Sequence, residues 1–317
     1  MPQAVKSIFR FCLGANYVGL RDLTFTKSFS QAGLVYHPKS SPVDVRDVEK
    51  LNKFLLESKN LLILSGAGLS TESGIPDYRS KDVGLYDRVN HKPMKHQEFM
   101  SSEQSRQRYW ARNYVGWKHF VTRSPNLAHK KLFELEKKGK SHWHVTQNVD
   151  GLNAKAGIEN LTELHGSMYR VVCLNCEHIS PREVLQKRFN QLNKNWTTTI
   201  DGYGPDADVF LNDEDAKRFI VPPCKNCGGV LKPSVTFFGD TVPIKTVHHV
   251  YDQIDKSDAV LVVGSSLQVW SGYRFILRAK NRSIPISAIN VGPTRADDLF
   301  DIKIDALCTE ILNQVEI

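Results

Sequence analysis

Three groups of residues in this chain have the types and spacing to do chemistry. The first is Cys173-x-x-Cys176 with Cys224-x-x-Cys227. Each pair can form a knuckle aiming two thiolates at one ion. Four thiolates close a tetrahedral zinc site and leave no position for water or substrate, so the expected Zn2+ is structural. The 47 residues between the pairs, 177–223, exceed the usual spacing of roughly 15–20. The segment therefore reads as a zinc ribbon with a long inserted loop, its middle (197–212) rich in Gly, Asp and Thr. Four unrelated buried thiols are the alternative. The second group is Gly66-Ala67-Gly68-Leu69-Ser70, directly after the apolar run Leu61–Leu64 and followed by Gly74-Ile75-Pro76-Asp77-Tyr78-Arg79-Ser80. A buried strand running into a glycine turn presents backbone N–H groups where open α/β sheets bind phosphates. Thr71 stands where the dinucleotide fingerprint has its third glycine, so the loop alone fits an ordinary strand-to-helix turn equally well. The third group is Gln147-Asn148-Val149-Asp150 with His165-Gly166. Gln, Asn and Asp at a strand end can hold a carboxamide and ribose hydroxyls, or can simply cap a polar turn. Histidine titrates near neutral pH, so His165 is either a general base or a structural residue.

The surrounding pattern supplies elements to position these groups. Asp44 opens a helix with Val45, Val48, Leu51, Phe54 and Leu55 on one face. Strands are expected at 61–64, 142–146, 259–263, 285–289 and 302–304, the last before a C-terminal helix. Ser124-Pro125 reads as an N-cap with a first-turn proline, and Gly139 as the stop of that helix. Residues 81–123 read as short helices that help cover the site. Strands alternating with helices imply an α/β fold, a parallel sheet with helices on both faces. Gly264-Ser265-Ser266 and Asn290-Val291-Gly292 end two further strands, so four loops on one sheet edge define a single crevice. The chain divides into 1–40, a body formed by 41–167 and 232–317, and a small inserted module at 168–231.

Of the 317 residues, 41% are hydrophobic and 24% charged, ordinary for a globular chain with a sizeable core. No apolar run approaches the roughly 20 residues that span a bilayer, so no membrane association is expected. Residues 1–40 carry Lys6, Arg10, Arg21, Lys27 and Lys39 against Asp22 alone, with Ile8, Phe9, Phe11 and Leu13 interleaved. That composition reads as a mitochondrial targeting segment rather than a disordered basic tail. It supplies half of the net charge of +8, which leaves a weak case for nucleic-acid binding. Four of six cysteines in tight pairs indicate metal in a reducing compartment rather than disulfides.

The ordered set of these motifs, with Phe238-Gly239-Asp240 and Gly264-Ser265-Ser266-Leu267, resembles the sirtuin family of NAD-dependent protein deacylases from about residue 44 onward. The resemblance implies a Rossmann-like NAD domain joined to a small zinc-ribbon and helical domain, with acyl-lysine bound between them. It implies attack of the acyl carbonyl oxygen on the nicotinamide ribose, departure of nicotinamide, and release of free lysine and 2′-O-acyl-ADP-ribose. It assigns His165 as the base on a ribose hydroxyl and Asn148 as the residue ordering ribose and water. Gln147, Asp150, Ala67 and Val149 fall at the nicotinamide end. Gly66, Gly68, Ser70, Asp77, Tyr78 and Arg79 line the ribose–phosphate pocket. Gly264, Ser265, Ser266, Asn290, Val291, Gly292 and Cys308 take the phosphates and adenosine. Val235, Phe238 and Gly239 carry the peptide as an added strand.

Tyr78, Val149, Thr236 and Asp240 are mild departures from the family pattern. The long insertion and basic leader resemble a mitochondrial, lipoamidase-type branch, related to the branch that binds acidic acyl groups through a Tyr-x-x-Arg pair. Tyr109-Trp110-Ala111-Arg112 has that spacing, which an ordinary amphipathic helix also explains. The expected acyl groups are lipoyl, biotinyl or branched acidic chains on lysines of mitochondrial matrix enzymes, acted on by a monomer. Tyr203 and Asn212 of the insertion are expected to reach the acyl channel. A mono-ADP-ribosyltransferase using the same NAD site is the alternative enzyme, and an NAD-sensing zinc module the non-catalytic one.

Overall fold

The computed structural model describes residues 36–89 and 92–316. The segment 1–40, read above as a targeting segment, thus lies almost wholly outside the described residues. Tyr36, within it, is buried, with the Arg88 guanidinium 5.4 Å from its ring centroid.

Helix α1 (Val45–Glu57) leads into β1 (Leu61–Ser65) and a 3-10 turn, Ala67–Ser73. Helices α2 (Leu85–Arg88), α3 (His96–Ser101), α4 (Glu103–Val121) and α5 (Leu127–Lys137) precede β2 (Ser141–Thr146). Next come α6 (Leu152–Ala156), β3 (Leu161–Glu163), β4 (Gly166–Cys173), β5 (Ile179–Pro181), α7 (Arg182–Leu192) and β6 (Ile200–Tyr203). They are followed by β7 (Val209–Leu211), α8 (Asp213–Ala216), β8 (Leu231–Val235), α9 (Ile244–Asp255) and β9 (Ala259–Val263). Helix α10 (Trp270–Asn281), β10 (Ile286–Ile289), β11 (Ile302–Ile304) and α11 (Cys308–Leu312) complete the order. Among the described residues no helix is long and apolar enough to cross a membrane.

Six strands form one parallel sheet in the order β11-β10-β9-β1-β2-β3. Strand β1 is apolar throughout its first four residues because both of its faces are covered. Leu61 and Ile63 pack with Leu51, Phe54, Leu132 and Ile311 on one side. Leu62 and Leu64 pack with Val247, Val250, Phe275 and Ile276 on the other. This is the two-residue alternation of a strand between two helical layers. Truncating one of these leucines to alanine costs about 2–5 kcal/mol.

Asp44 caps α1 as expected, its Oδ1 accepting from the Arg46 N–H at 2.9 Å. The cap of α5 is Asn126, not Ser124. Its side-chain oxygen accepts from His129 N at 3.1 Å and its Nδ2 donates to the Leu69 carbonyl at 2.8 Å. An amide ties the helix start to the 3-10 turn with both ends; a hydroxyl would be hard pressed to do so. Residues 81–123 are also not all short helices, since α4 runs for 19 residues. Its periodicity is masked because Trp110, Ala111, Asn113 and Trp117 are buried against different neighbours.

The small module is built on an antiparallel sheet, β5-β4-β8. Gly166 pairs with Val235 and Cys173 with Leu231, so this sheet extends beyond 168–231 at both ends. Its core joins Cys173 and Cys224 to Phe189, Phe219 and Trp110, which makes α4 one wall of the module. The stretch 197–212 is not a loop: β6 and β7 form an antiparallel hairpin. At its tip Asp206 and Ala207 have φ +59° and +58°, the left-handed pair of a tight hairpin turn without the usual glycine. Gly116 of α4 receives that tip. A Cβ there would lie 2.2 Å from the Ala207 carbonyl oxygen.

Candidate active site

The four paired cysteines converge. Their sulfurs all lie within 4.8 Å of one another, with Cys173 to Cys227 at 3.5 Å and Cys176 to Cys224 at 3.9 Å. A tetrahedron with Zn–S bonds of about 2.3 Å has edges of roughly 3.8 Å, so the set fits one zinc ion. The N–H groups of Asn175 and Asn226 approach the Cys173 and Cys224 sulfurs at 3.4 Å, the knuckle geometry that favours thiolates. None of the four lines the large cavity, and the zinc they would hold is structural.

That cavity, about 1820 Å³, opens at the C-terminal edge of the parallel strands, between the sheet and the small module. Gly66, Ala67 and Gly68 line it after β1, with Asp77, Tyr78 and Arg79 beyond the 3-10 turn. Gln147, Asn148 and Val149 line it after β2. Gly264, Ser265 and Ser266 follow β9, Asn290, Val291 and Gly292 follow β10, and Cys308 begins α11. The two glycine loops interlock: a Cβ on Gly68 would lie 2.9 Å from the Gly264 carbonyl oxygen, and Gly264 itself has φ +60°. Only unsubstituted backbone packs this closely while leaving amides at the strand ends, a cradle that suits the phosphates of NAD.

Ser70 and Asp150 do not line the cavity but brace it from behind. Ser70 Oγ donates to Asp150 Oδ2 at 2.6 Å, and Asn148 Nδ2 donates to Ser70 Oγ at 3.1 Å and to the Gly66 carbonyl at 3.0 Å. Burial raises the Asp150 carboxyl above its ordinary range, opposed by the Ser70 hydrogen bond. Asp77 is raised by burial as well, opposed by its bonds from Ser80.

His165 lies in the turn between β3 and β4 and lines the cavity. Its Nδ1 is 2.8 Å from the Gln147 carbonyl oxygen. A carbonyl only accepts, so Nδ1 carries the proton and Nε2 keeps a lone pair. Burial lowers the imidazole's pKa and so favours the neutral ring, while the hydrogen bond to the Gln147 carbonyl acts in the opposite direction. The atom facing Nε2, at 2.8 Å, is the hydroxyl oxygen of Ser271.

Tyr109, Arg112, Val235, Phe238 and Gly239 all line the opposite part of the cavity, together with Asp206 and Asp208 from the hairpin tip. Arg112 is already engaged. Its Nε donates to Asp208 Oδ1 at 2.8 Å and to the Val209 carbonyl at 3.1 Å, and its Nη2 pairs with Asp208 Oδ2. The Tyr78 hydroxyl donates to Asp206. Burial pushes Asp206 up to about 6, against the Tyr78 hydrogen bond and with Asp150 and Asp208 adding to it. Tyr203 and Asn212 stay outside the lining. Tyr203 stacks on His119 at 4.2 Å between centroids, and Asn212 caps α8. Asp206, Asp208 and Ser271 are among the cavity residues that sequence reading missed. The nearest signal for Ser271 was its place just past the Gly264-Ser265-Ser266 loop.

Strand-end glycine loops facing a four-cysteine module across one cavity define the class of protein. The Sir2 family matches residues 66–271, and the chain belongs to that family. Among its relatives is the NAD-dependent protein lipoamidase sirtuin-4, mitochondrial, of Bos taurus, 53% identical over 289 residues that span 91% of each chain. The NAD-dependent protein deacylase Sirt4 of Drosophila melanogaster is 47% identical, covering 89% of this chain and 91% of that one. A solved Sir2 with a p53 peptide and NAD+ superposes with a TM-score of 0.68 at 26% identity, over 84% of this chain and 96% of that one.

Proposed function

We propose that this chain is an NAD-dependent protein-lysine deacylase of the mitochondrial matrix, with His165 as its base. The carrying observation is the His165 imidazole, pinned at Nδ1 by a carbonyl and offering Nε2 to the cavity. When bound, NAD supplies a ribose carbon that accepts the acyl oxygen and a ribose hydroxyl that takes over the acyl group. The chain's residues do the rest. The glycine loops after β1 and β9 bind the phosphates through backbone amides. Asn148, fixed by Gly66 and Ser70, orders the ribose face. Nε2 of His165 takes the hydroxyl proton, and the neutral ring at physiological pH makes it available for that task. Phe238 and Gly239 hold the peptide strand.

The acyl end supports neutral, extended groups such as lipoyl or biotinyl over acidic ones, because Asp208 already neutralises the Arg112 guanidinium. His165→Ala is expected to lower NAD-dependent delipoylation of a lysine peptide at least ~100-fold while zinc content is unchanged. Retained turnover in this variant would overturn the assignment of the base. Nicotinamide release with ADP-ribose on protein and untouched peptide would replace deacylation by the transferase.

A further inference from the structure

We infer that Ser271 is a positioning residue for His165: its hydroxyl holds the Nε2 lone pair and is exchanged there for the hydroxyl that His165 deprotonates. The inference rests on reading His165 as the base. Three observations carry it. The Ser271 Oγ lies 2.8 Å from Nε2, inside the cavity. Since Nδ1 is committed as a donor to the Gln147 carbonyl, Nε2 can only accept and the Ser271 O–H must donate. An imidazole nitrogen has one in-plane lone pair, so Ser271 and a substrate hydroxyl compete for the same place. Third, both partners of His165 are set by one helix end. Ser271 sits in the first turn of α10, where the Gly272 and Tyr273 N–H groups bond the Val269 carbonyl. The next residue, Gly272, lies against Gln147: a Cβ there would be 2.6 Å from its Oε1. The Gln147 amide in turn donates to Ser265 Oγ at 2.8 Å. The start of α10 thus aims Ser271 at Nε2 and packs on the residue whose carbonyl holds Nδ1.

The expected pH effect has a definite sign. A donor to Nε2 stabilises the neutral ring, so removing it favours the imidazolium and raises the pKa of His165. The helix N-terminus acts in the same direction as the Ser271 hydroxyl, against the cation. Charged groups on the neighbouring elements are the Glu163–Arg170 pair of β3 and β4, Lys232 with Asp240 at β8, Arg274 on α10 and Asp150 after β2. Among the described residues none of them forms an ion pair with His165, so Ser271→Ala changes the hydrogen bond without removing a charge.

The test titrates the imidazole by NMR in the purified full chain without NAD, with the His165 signal assigned by its loss in His165→Ala. Ser271→Ala is expected to raise the His165 midpoint by about half a unit to one unit while the Nδ1–H tautomer persists. Ser271→Thr, which keeps the hydroxyl, is expected to restore the wild-type value. With NAD and acyl peptide, the acid limb of kcat/KM for NAD should move up by the same amount in Ser271→Ala. The kcat profile should stay in place, because the substrate hydroxyl then occupies Nε2. An unchanged midpoint, or a shift of kcat and kcat/KM together, would overturn the role of Ser271. Loss of turnover in His165→Ala would still support the base, whereas retained turnover there would remove it regardless of the titration.

Discussion

Arg112 and Asp208 face each other in the part of the cavity proposed to take the acyl chain, with two guanidinium nitrogens committed to one carboxylate. A carboxylate at the acyl tip has to displace Asp208, whereas a neutral chain leaves the pair intact. Asp208→Asn removes the competing charge and frees part of the guanidinium. It should raise kcat/KM for succinyl- or glutaryl-lysine peptides about tenfold relative to lipoyl-lysine, as read from a competition between the two peptides. An unchanged ratio would mean that Arg112 does not set acyl choice. At this scale the sequence was legible wherever partners are local. The Cys-x-x-Cys pairs, the Tyr109-to-Arg112 spacing and His165-Gly166 each declare themselves within a few residues. Asp208, 96 residues beyond Arg112, leaves no trace at that spacing. Ser70 and Asp150 show a different kind of long-range partnership. Both have residue types that suit NAD, but they are turned toward each other behind the lining.

The β6–β7 hairpin is the element that brings Asp206 and Asp208 to the cavity, and its seat is Gly116 on α4. Valine in a helix interior costs only a few tenths of a kcal/mol against alanine. The harm in Gly116→Val would therefore come from the clash with Ala207. The hairpin tip should lift, with faster proteolysis at 197–212 and an acyl preference moved in the same direction as in Asp208→Asn. Protection equal to wild type would show that the tip is held elsewhere, for instance by Tyr203 on His119. Elements with a clean period were readable: β1, β9, β11 and the apolar face of α1, except that Val45 at its first position is exposed. The hairpin was not, because Asp206 and Ala207 take left-handed φ without an Asn-Gly or Asp-Gly signal. Nor was the full length of α4, whose buried residues point at two cores and include Asn113 beside the Arg182 guanidinium.

Across the whole molecule, the parallel sheet supplies strand-end loops on one side of the cavity and the four-cysteine module supplies the other. The two are coupled through α4. Trp110 packs in the core that contains Cys173 and Cys224, and its Nε1 donates to the Leu231 carbonyl at 3.0 Å. Two residues later on the same helix, Arg112 lines the cavity. Removing zinc, by chelation or by Cys224→Ser, should therefore loosen α4 and lower deacylation, although none of the four paired cysteines lines the cavity. Near-ultraviolet circular dichroism should lose tryptophan signal in parallel with zinc content, and both should return when zinc is restored to the chelated protein. Activity that survives full zinc loss would uncouple the module from the site. The two-part architecture was readable from alternating strands and helices interrupted by cysteines. The exact boundaries were not, because β4 and β8 run on from the turns that carry His165 and Phe238.

The most direct measurement is mass spectrometry of the purified chain given NAD and a lipoyl-lysine peptide, with both products counted. The account predicts one nicotinamide and one O-lipoyl-ADP-ribose for each lysine freed; with His165→Ala it predicts at most a trace of freed lysine and O-lipoyl-ADP-ribose, with nicotinamide limited to about one per enzyme because its departure precedes the step that needs the base. Lysine freed while NAD is unconsumed, or ADP-ribose transferred to protein while the peptide keeps its acyl group, would contradict it.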